Sequence, residues 1–387
     1  MKKMFNIAAL YLNLVFILIL VYAYQDINNS ANIGLRDADR GIVHILLFIV
    51  ICILSIYYLY TSLTKGIVKD SVEGSLWLIS GWIFSVGLIQ DVNMWSLLVH
   101  LGLSVLWIVI YHFGKGYMTQ LPFIKKSILR WIVLLFMFYV FSAIYASISI
   151  KFLYDRLPVI NLSYNVIVFY PWIFLLSSDR LKKFFSFIVL LVVLMSFKRG
   201  AIIIYPSMVI ISSIVHAKIE NRKTTGIAKS VFFTILFLYG LIIADNFSGG
   251  FLSNRFIPES LLSGSGRNDL FRLAIDNIAS RGFCDLMIGL GSGSSIQYLG
   301  TSVHNEWLEF IYSFGIIGVI LYAKHILTLI ARARKYIQKK SNYAPAYTSM
   351  IVYMIIVGLF GGLYFVHSTM YVMMFLGLID GLVLKEG

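Results

Sequence analysis

The chain is short of charge, of acid in particular, and of cysteine. Only 13% of its 387 residues are Asp, Glu, Lys or Arg, about half of the roughly 25% usual in a soluble domain. So few polar groups cannot coat a soluble globule that is 59% apolar. A mean hydropathy of +0.84 agrees, and the class implied is an integral membrane protein. The two cysteines, Cys52 in an apolar run and Cys284 in a polar loop, form neither a disulfide framework nor a zinc site. P-loop, Rossmann, HExxH, GxSxG and zinc-finger spacings are all missing. Nucleotide hydrolysis and metal-centred chemistry therefore have no support, and no cofactor or metal is expected. No internal repeat is evident.

Acidic residues number 18 against 32 Lys and Arg, a formal charge of +14. The basic residues stand as short flanks between apolar runs, not as a tail or a folded basic face. They report topology, and nucleic acid is not an expected partner. Apolar runs fall near residues 4–24, 42–63, 76–90, 94–111, 131–150, 162–177, 184–197, 200–217, 231–244, 306–323, 345–361 and 366–384. The expectation is an all-α polytopic protein of about twelve spans, with residues 1–387 as a single integral membrane domain. The basic start of the first run resembles a signal peptide, but its apolar stretch is long and lacks a small-x-small site, so it reads as a retained span. Placing both termini in the cytoplasm puts 21 of the basic residues inside and ten outside, as the positive-inside rule requires.

One connection is long. Residues 245–305, between the ninth and tenth runs, form an external loop too extended for a mere linker. Within it, NDLFRLAIDNIA spaces apolar residues at 271, 274, 275 and 278, which predicts a short amphipathic helix at the membrane surface. Candidate functional residues gather on this outer side. Lys198 and Arg199 occupy a tight outer connection where basic residues oppose the topological bias, so Arg199 reads either as a phosphate clamp or as an interfacial arginine snorkelling to lipid. Arg267 lies in SGSGR, where small residues let backbone N–H groups approach a phosphate that a guanidinium fork can grip. Arg255 and Arg272 are nearby seconds. GLGSGSS at 289–295 reads as an anion nest or only a turn. Asn305 is a helix N-cap, with Glu306 and Glu309 at the positive end of the helix that follows. That role does not need His304, whose near-neutral pKa suits taking a proton from a sugar hydroxyl.

Three pieces in order, FKRGAIIIYP, SGSGRNDLFRLAIDNI with GLGSGS, and SVHNEWLEFIYSFGIIGVI, resemble the O-antigen polymerase and O-antigen ligase superfamily over residues 195–322. A proline that often precedes the GLG stretch is missing, and Lys stands where a polar residue often precedes Arg-Gly. The resemblance implies a GT-C-like architecture in the bacterial inner membrane with a periplasmic active site. It also implies a metal-independent inverting transfer between undecaprenyl-pyrophosphate-linked oligosaccharides, with Arg199 and Arg267 on the pyrophosphate and His304 at the acceptor hydroxyl. Lys198, Arg255, Arg272, Asn305 and Glu306 would support them. Expected partners are the lipid-linked donor and acceptor, membrane lipids and a chain-length regulator. Polymerase is favoured. Ligase transfer to lipid A-core shares the same residues, and a lipid-linked oligosaccharide flippase is the rival of another class. A flippase would carry its key charges along a path between the helices, whereas the runs here read as nearly charge-free.

Overall fold

A computed structural model describes residues 70–90, 94–120, 122–154, 159, 161–221, 223–257, 267–362 and 369–386, with six isolated positions before residue 61. The runs at 4–24 and 42–63 lie outside the described residues, apart from those isolated positions. Among the described residues the protein is all-α, without a strand. Helices α1 (Ser71–Ile89), α2 (Met94–Gln120) and α3 (Pro122–Tyr154) lead, followed by two short helices, α4 (Leu162–Ile167) and α5 (Tyr170–Ile173). Next come α6 (Asp179–Met195), α7 (Arg199–Ile219) and α8 (Lys223–Phe247). The long connection holds α9 (Phe251–Phe256), α10 (Arg267–Ala279), α11 (Phe283–Ile288) and α12 (Ser294–Leu299), before α13 (Glu306–Gln338), α14 (Ala344–Phe360) and α15 (Thr369–Glu386).

Five helices among the described residues are long and apolar enough to cross a membrane: α1, the Leu129–Ile148 part of α3, α7, the Gly226–Phe247 part of α8, and α13. The α8 helix makes the physical case. Only 11% of its apolar window is buried, and Val231, Phe232, Ile235, Leu238, Tyr239 and Ile242 all stand exposed. A helix apolar around its circumference with no protein over it is stable only where the solvent is itself apolar. The architecture is that of a multi-pass all-α membrane protein.

Side-chain caps start several helices: Asp70 accepts from the Val72 N–H of α1 at 2.7 Å, Ser178 from Leu181 at 3.4 Å, and Asn305 from Leu308 at 3.1 Å. The expected run at 162–177 is not one helix. It is α4 and α5 separated by turns, with Pro171 in the first turn of α5. Helices α2 and α15 pack at backbone distance, since a Cβ on Gly377 would sit 2.1 Å from the Tyr111 carbonyl and one on Gly114 would sit 2.7 Å from that of Met374.

The tenth run departs most from expectation. A single span over 306–323 does not exist, because Gly315 has φ 66° and ψ −171° and breaks α13. The chain folds back there. Phe310 and Tyr322 stack with centroids 4.5 Å apart, and Trp307 lies 5.1 Å from the same Tyr322 ring, whereas a straight helix would separate positions 310 and 322 by about 18 Å. The continuous stretch is 316–338, about 34 Å long, and residues 306–314 return beside it.

A helix break leaves carbonyls without partners, a cost of several kcal/mol each in hydrocarbon. Here they are taken up. Gly291 N–H donates to the Ser313 carbonyl at 2.8 Å and Leu290 N–H to Tyr312 at 3.2 Å. Arg281 Nη1 also donates to Tyr312, at 2.9 Å, and Trp82 Nε1 to Phe314, at 2.9 Å. Gln90, at the end of α1, donates to Gly289 at 2.8 Å. Gly289 and Gly315 meet backbone to backbone: a Cβ on Gly289 would fall 2.5 Å from Gly315 N, and one on Gly315 would fall 2.3 Å from the Met287 carbonyl. The GLGSGSS stretch is thus a strap on α13. Its first N–H groups serve carbonyls at 285, 312 and 313, so the anion-nest reading does not hold for them.

A second departure lies at the far end of the bundle, where Asp380, within a run that reads as apolar, is buried among charges that stand just beyond the ends of the other runs. Asp380, fully buried, accepts from Arg332 Nη1 at 2.9 Å, from Tyr336 at 2.6 Å and from the Tyr111 hydroxyl. Asp70 accepts from Arg332 Nη2 at 2.9 Å and from Lys115. Two acids and two bases therefore join the start of α1 to α2, α13 and α15. Nearby, Glu73 pairs with His112 at 3.1 Å and with Tyr58 at 3.2 Å, and His325, also fully buried, lies 2.8 Å from Ser75 Oγ.

Two outcomes follow from this packing. G315A places a Cβ both at positive φ and into the 287 carbonyl, and should lower stability by about 2–4 kcal/mol, read as a lower melting temperature of detergent-purified protein. Burial raises the Asp70 pKa, but Arg332 and then Lys115 outweigh it and hold the carboxyl at about 2. A depressed carboxyl stabilises the fold fully above its unfolded pKa of about 3.9 and stops doing so as pH falls through 2. The melting temperature should therefore drop between pH 4 and pH 2 in the wild type. D70N, which leaves Lys115 without its acid, should cost about 3 kcal/mol at neutral pH and flatten that acid limb.

Candidate functional site

At the end of the bundle away from the buried acids, the chain turns from α6 into α7 through Ser196, Phe197 and Lys198. Phe197 has φ 47° and packs edge-on to Phe251 of α9 at 5.8 Å. That contact brings α9 against the start of α7 and sets Arg255 beside Arg199. Burial pushes the Arg255 pKa below its usual value, and the charge of Arg199 pushes it further in the same direction. The Arg255 guanidinium also lies 5.6 Å from the centroid of the Phe251 ring. Lys198 stands at the N-cap position of α7 without a side-chain capping bond, and its ammonium donates to Asn161 Oδ1 at 2.6 Å and lies 5.7 Å above the Tyr164 ring.

Tyr164 links this corner to α14. Its hydroxyl abuts Gly200, 2.0 Å from where a Cβ would stand, and its carbonyl accepts from the Tyr353 hydroxyl at 3.3 Å. The C-terminal half of α14 thus lies at the N-terminal end of α7. That same end of α14 receives the His304 segment, since Asn305 Nδ2 donates to the Leu359 carbonyl at 3.1 Å. Arg199, Arg255, Lys198 and His304 therefore share one end of the bundle.

His304 is exposed, with Nδ1 3.4 Å from Ser302 Oγ and φ at 54°. Left-handed backbone costs a non-glycine residue about 1 kcal/mol, and such strain persists where the surroundings impose it. The surroundings do so here. On one side Val303 N–H donates to Glu309 Oε2 at 3.1 Å, and on the other Asn305 caps α13 as expected. Glu309 is more than a charge at a helix start, because its Oε1 also accepts from Ser295 at 2.6 Å and from Ser313 at 3.2 Å. It pins the strap to the His304 turn. Glu306 is 1% exposed and faces Gly358, where an added Cβ would lie 3.5 Å from Glu306 Cβ and 3.6 Å from the Tyr322 hydroxyl.

Arg267 opens α10, but its side chain and the SGSG before it lie outside the described residues. The helix itself is where the spacing predicts. Ala274 and Ile278 are buried in a small cluster with Val303 and Tyr312, while Ile275 stays exposed. Arg272 is exposed and no described contact joins it to the Arg199 corner. Arg281, not singled out from the sequence, lies 4.0 Å over the Tyr312 ring and bonds Asn277 Oδ1 at 3.0 Å. These contacts make it a fastener of α10 to the folded-back helix. Its only sequence signal is a position one turn after an amphipathic helix.

Among the described residues no group of three or more His, Cys, Asp or Glu could hold a metal ion. Neither protein-family models nor curated proteins give a match to this chain. Class is defined by fold and site alone: an all-α membrane protein of several apolar helices, with a cationic corner and a strained histidine at one end.

The two roles at the His304 turn are separable. N305A removes the cap and should cost about 1 kcal/mol. H304G relieves the positive φ and should leave stability unchanged or raise it by up to about 1 kcal/mol. A melting temperature that falls in H304G as far as in N305A would show that the histidine side chain is held for structure.

Proposed function

We propose that this chain is an O-antigen polymerase, a glycosyltransferase of the bacterial inner membrane. In this reading it has about twelve spans, both termini in the cytoplasm and the Arg199 and His304 end in the periplasm. The observation that carries the reading is the juxtaposition of Arg199 with Arg255 at the end of the bundle that also holds His304. Two guanidiniums at one corner suit an anion of more than one charge, and Arg is the side chain that grips phosphate oxygens two at a time.

The chemistry balances without a metal or a nucleotide sugar. An acceptor sugar hydroxyl attacks the anomeric carbon of the undecaprenyl-pyrophosphate-linked donor. The new C–O bond forms as the bond to the pyrophosphate oxygen breaks, and that oxygen leaves with the electron pair. Arg199, with Arg255 near it, and Arg267 stabilise the charge developing there, and His304 takes the hydroxyl proton. A single displacement inverts the anomeric centre. Glu309 and Asn305 hold the turn that presents the histidine, Glu306 is buried behind it against Gly358, Lys198 adds positive charge, and Arg272 lies on α10.

An O-antigen ligase would use the same donor end with lipid A-core as acceptor. The flippase reading gains one observation, the charges between helices at Asp70, Lys115, Arg332 and Asp380. They are paired with one another and confined to one end, which suits a staple better than a path.

Purified protein with lipid-linked repeat units alone separates these readings. A ladder of products supports the polymerase, transfer only on adding lipid A-core supports the ligase, and translocation without new glycosidic bonds supports the flippase. In the same assay R199K and R267K should each lose about 100-fold in turnover, the loss of one transition-state donor of roughly 3 kcal/mol. H304Q, which keeps hydrogen bonding without a near-neutral pKa, should make no ladder. Near-wild-type polymerisation by H304Q would demote His304 to an orienting residue.

A further inference from the structure

The end of the bundle opposite Arg199 carries a second cationic feature. Helix α7 runs about 25 Å from Arg199 to His216. Beside its last turns a cavity of about 360 Å³ opens between α5, α6 and α7, within the size range of small-ligand sites. Its polar lining is Lys182, Lys183 and Ser186 from α6 and Ser212, Ser213 and His216 from α7, over a floor that includes Ile173 and Phe174.

Every charged group in that lining is a base. Among the described residues the acids nearby are at the rim: Asp179 is 85% exposed and pairs with Lys182 at 3.1 Å, and Glu220 lies 3.5 Å from His216 Nδ1. Ser212 is committed, donating to the Val209 carbonyl at 2.9 Å and lying 3.2 Å from the Tyr170 hydroxyl. Arg180, Lys218 and Lys229 stand exposed on the surrounding helix ends. Of the exposed apolar residues on these helices, Phe187 of α6 follows the lining Lys183 by one turn, and Leu181 and Phe184 of α6 and Ile214 of α7 continue the apolar surface around the helices from there. An ammonium-lined recess bordering an apolar outer face fits an occupant with a phosphate head and hydrocarbon chains.

We propose that this cavity binds the phosphate of an anionic membrane lipid. The lysines supply charge and N–H donors to the phosphate oxygens, the hydroxyls of Ser186 and Ser213 and the imidazole complete the donor set, and the acyl chains lie along the exposed face of α6. This site is separate from the donor site proposed at the other end of α7. It stands whether or not glycosyl transfer is the reaction there.

Full-length protein in detergent is titrated with dioleoylphosphatidylglycerol, with dioleoylphosphatidylcholine and with inorganic phosphate. Bound lipid is counted by native mass spectrometry, and the melting temperature is followed in parallel. The phosphatidylglycerol should bind at least 10-fold more tightly than the phosphatidylcholine, as expected for a few basic groups at an anionic surface. K182Q/K183Q should weaken the anionic lipid about 10-fold or more. S213L, which fills the cavity and keeps every charge, should weaken it comparably, while K229Q, outside the cavity, should not. Wild-type affinity in both K182Q/K183Q and S213L overturns the site. Equal binding of the two lipids overturns recognition of anionic charge, and equal protection by millimolar inorganic phosphate overturns the lipid as its source. The polymerisation ladder reads the other end of the molecule, so its loss or survival bears only on the first reading.

Discussion

The structure depends on how one broken helix satisfies its backbone. Once α13 opens at Gly315, the carbonyls of residues 312–314 need donors, and in an apolar medium water is not there to supply them. The strap at 289–291, Arg281 and Trp82 supply them together. With the strap fixed, Glu309 can reach Ser295 and Val303, the His304 turn has both flanks tied, and α10 packs on Tyr312. Remove the break and none of these groups has a partner at the right place. The exposed histidine thus owes its unusual backbone to a hairpin whose apex lies several residues further along the chain.

The two ends of the bundle use charge in opposite ways. At the Asp70 and Asp380 end, acids and bases are matched and buried together, so that two aspartates fix Arg332 and the helices around it. Such a staple adds little net stability but opposes sliding of one helix past another. At the Arg199 end, basic groups from α7 and α9 gather at one corner, and an acid at that end, Glu306, is buried against α14.

Much of this was legible in the sequence, for identifiable reasons. Apolar runs locate helices because burial in lipid demands continuous hydrophobicity, and each run from 76 onward overlaps a helix. The cap at Asn305 and the helix after Arg267 were legible because capping and amphipathic spacing are local rules. What was not legible is long-range. Nothing near FGIIG says that its first glycine turns the helix back, since glycine is tolerated in apolar helices and only the facing backbone at 287–289 makes a side chain impossible there. GLGSGSS looks like an anion nest for the same reason, its N–H partners being two dozen residues away. Asp380 sits in an apolar run, and its pairing with Arg332 and Tyr111 could not be seen from either end. The Arg199 and Arg255 approach was unreadable too, because it is made by Phe197 against Phe251 across a whole helix and its return.

The strap contacts also set an order in time. Gln90 and Trp82 are synthesised early, yet their acceptors at Gly289 and Phe314 follow 199 and 232 residues later. At about 5–20 residues per second, those side chains wait on the order of 10–40 s with polar N–H groups facing lipid or the translocation machinery. Helix α1 cannot settle into its final rotation until the last third of the chain has emerged. The nascent protein is therefore an assembly of provisional neighbours, and the corner that holds Arg199 stands open well before the turn that presents His304 exists.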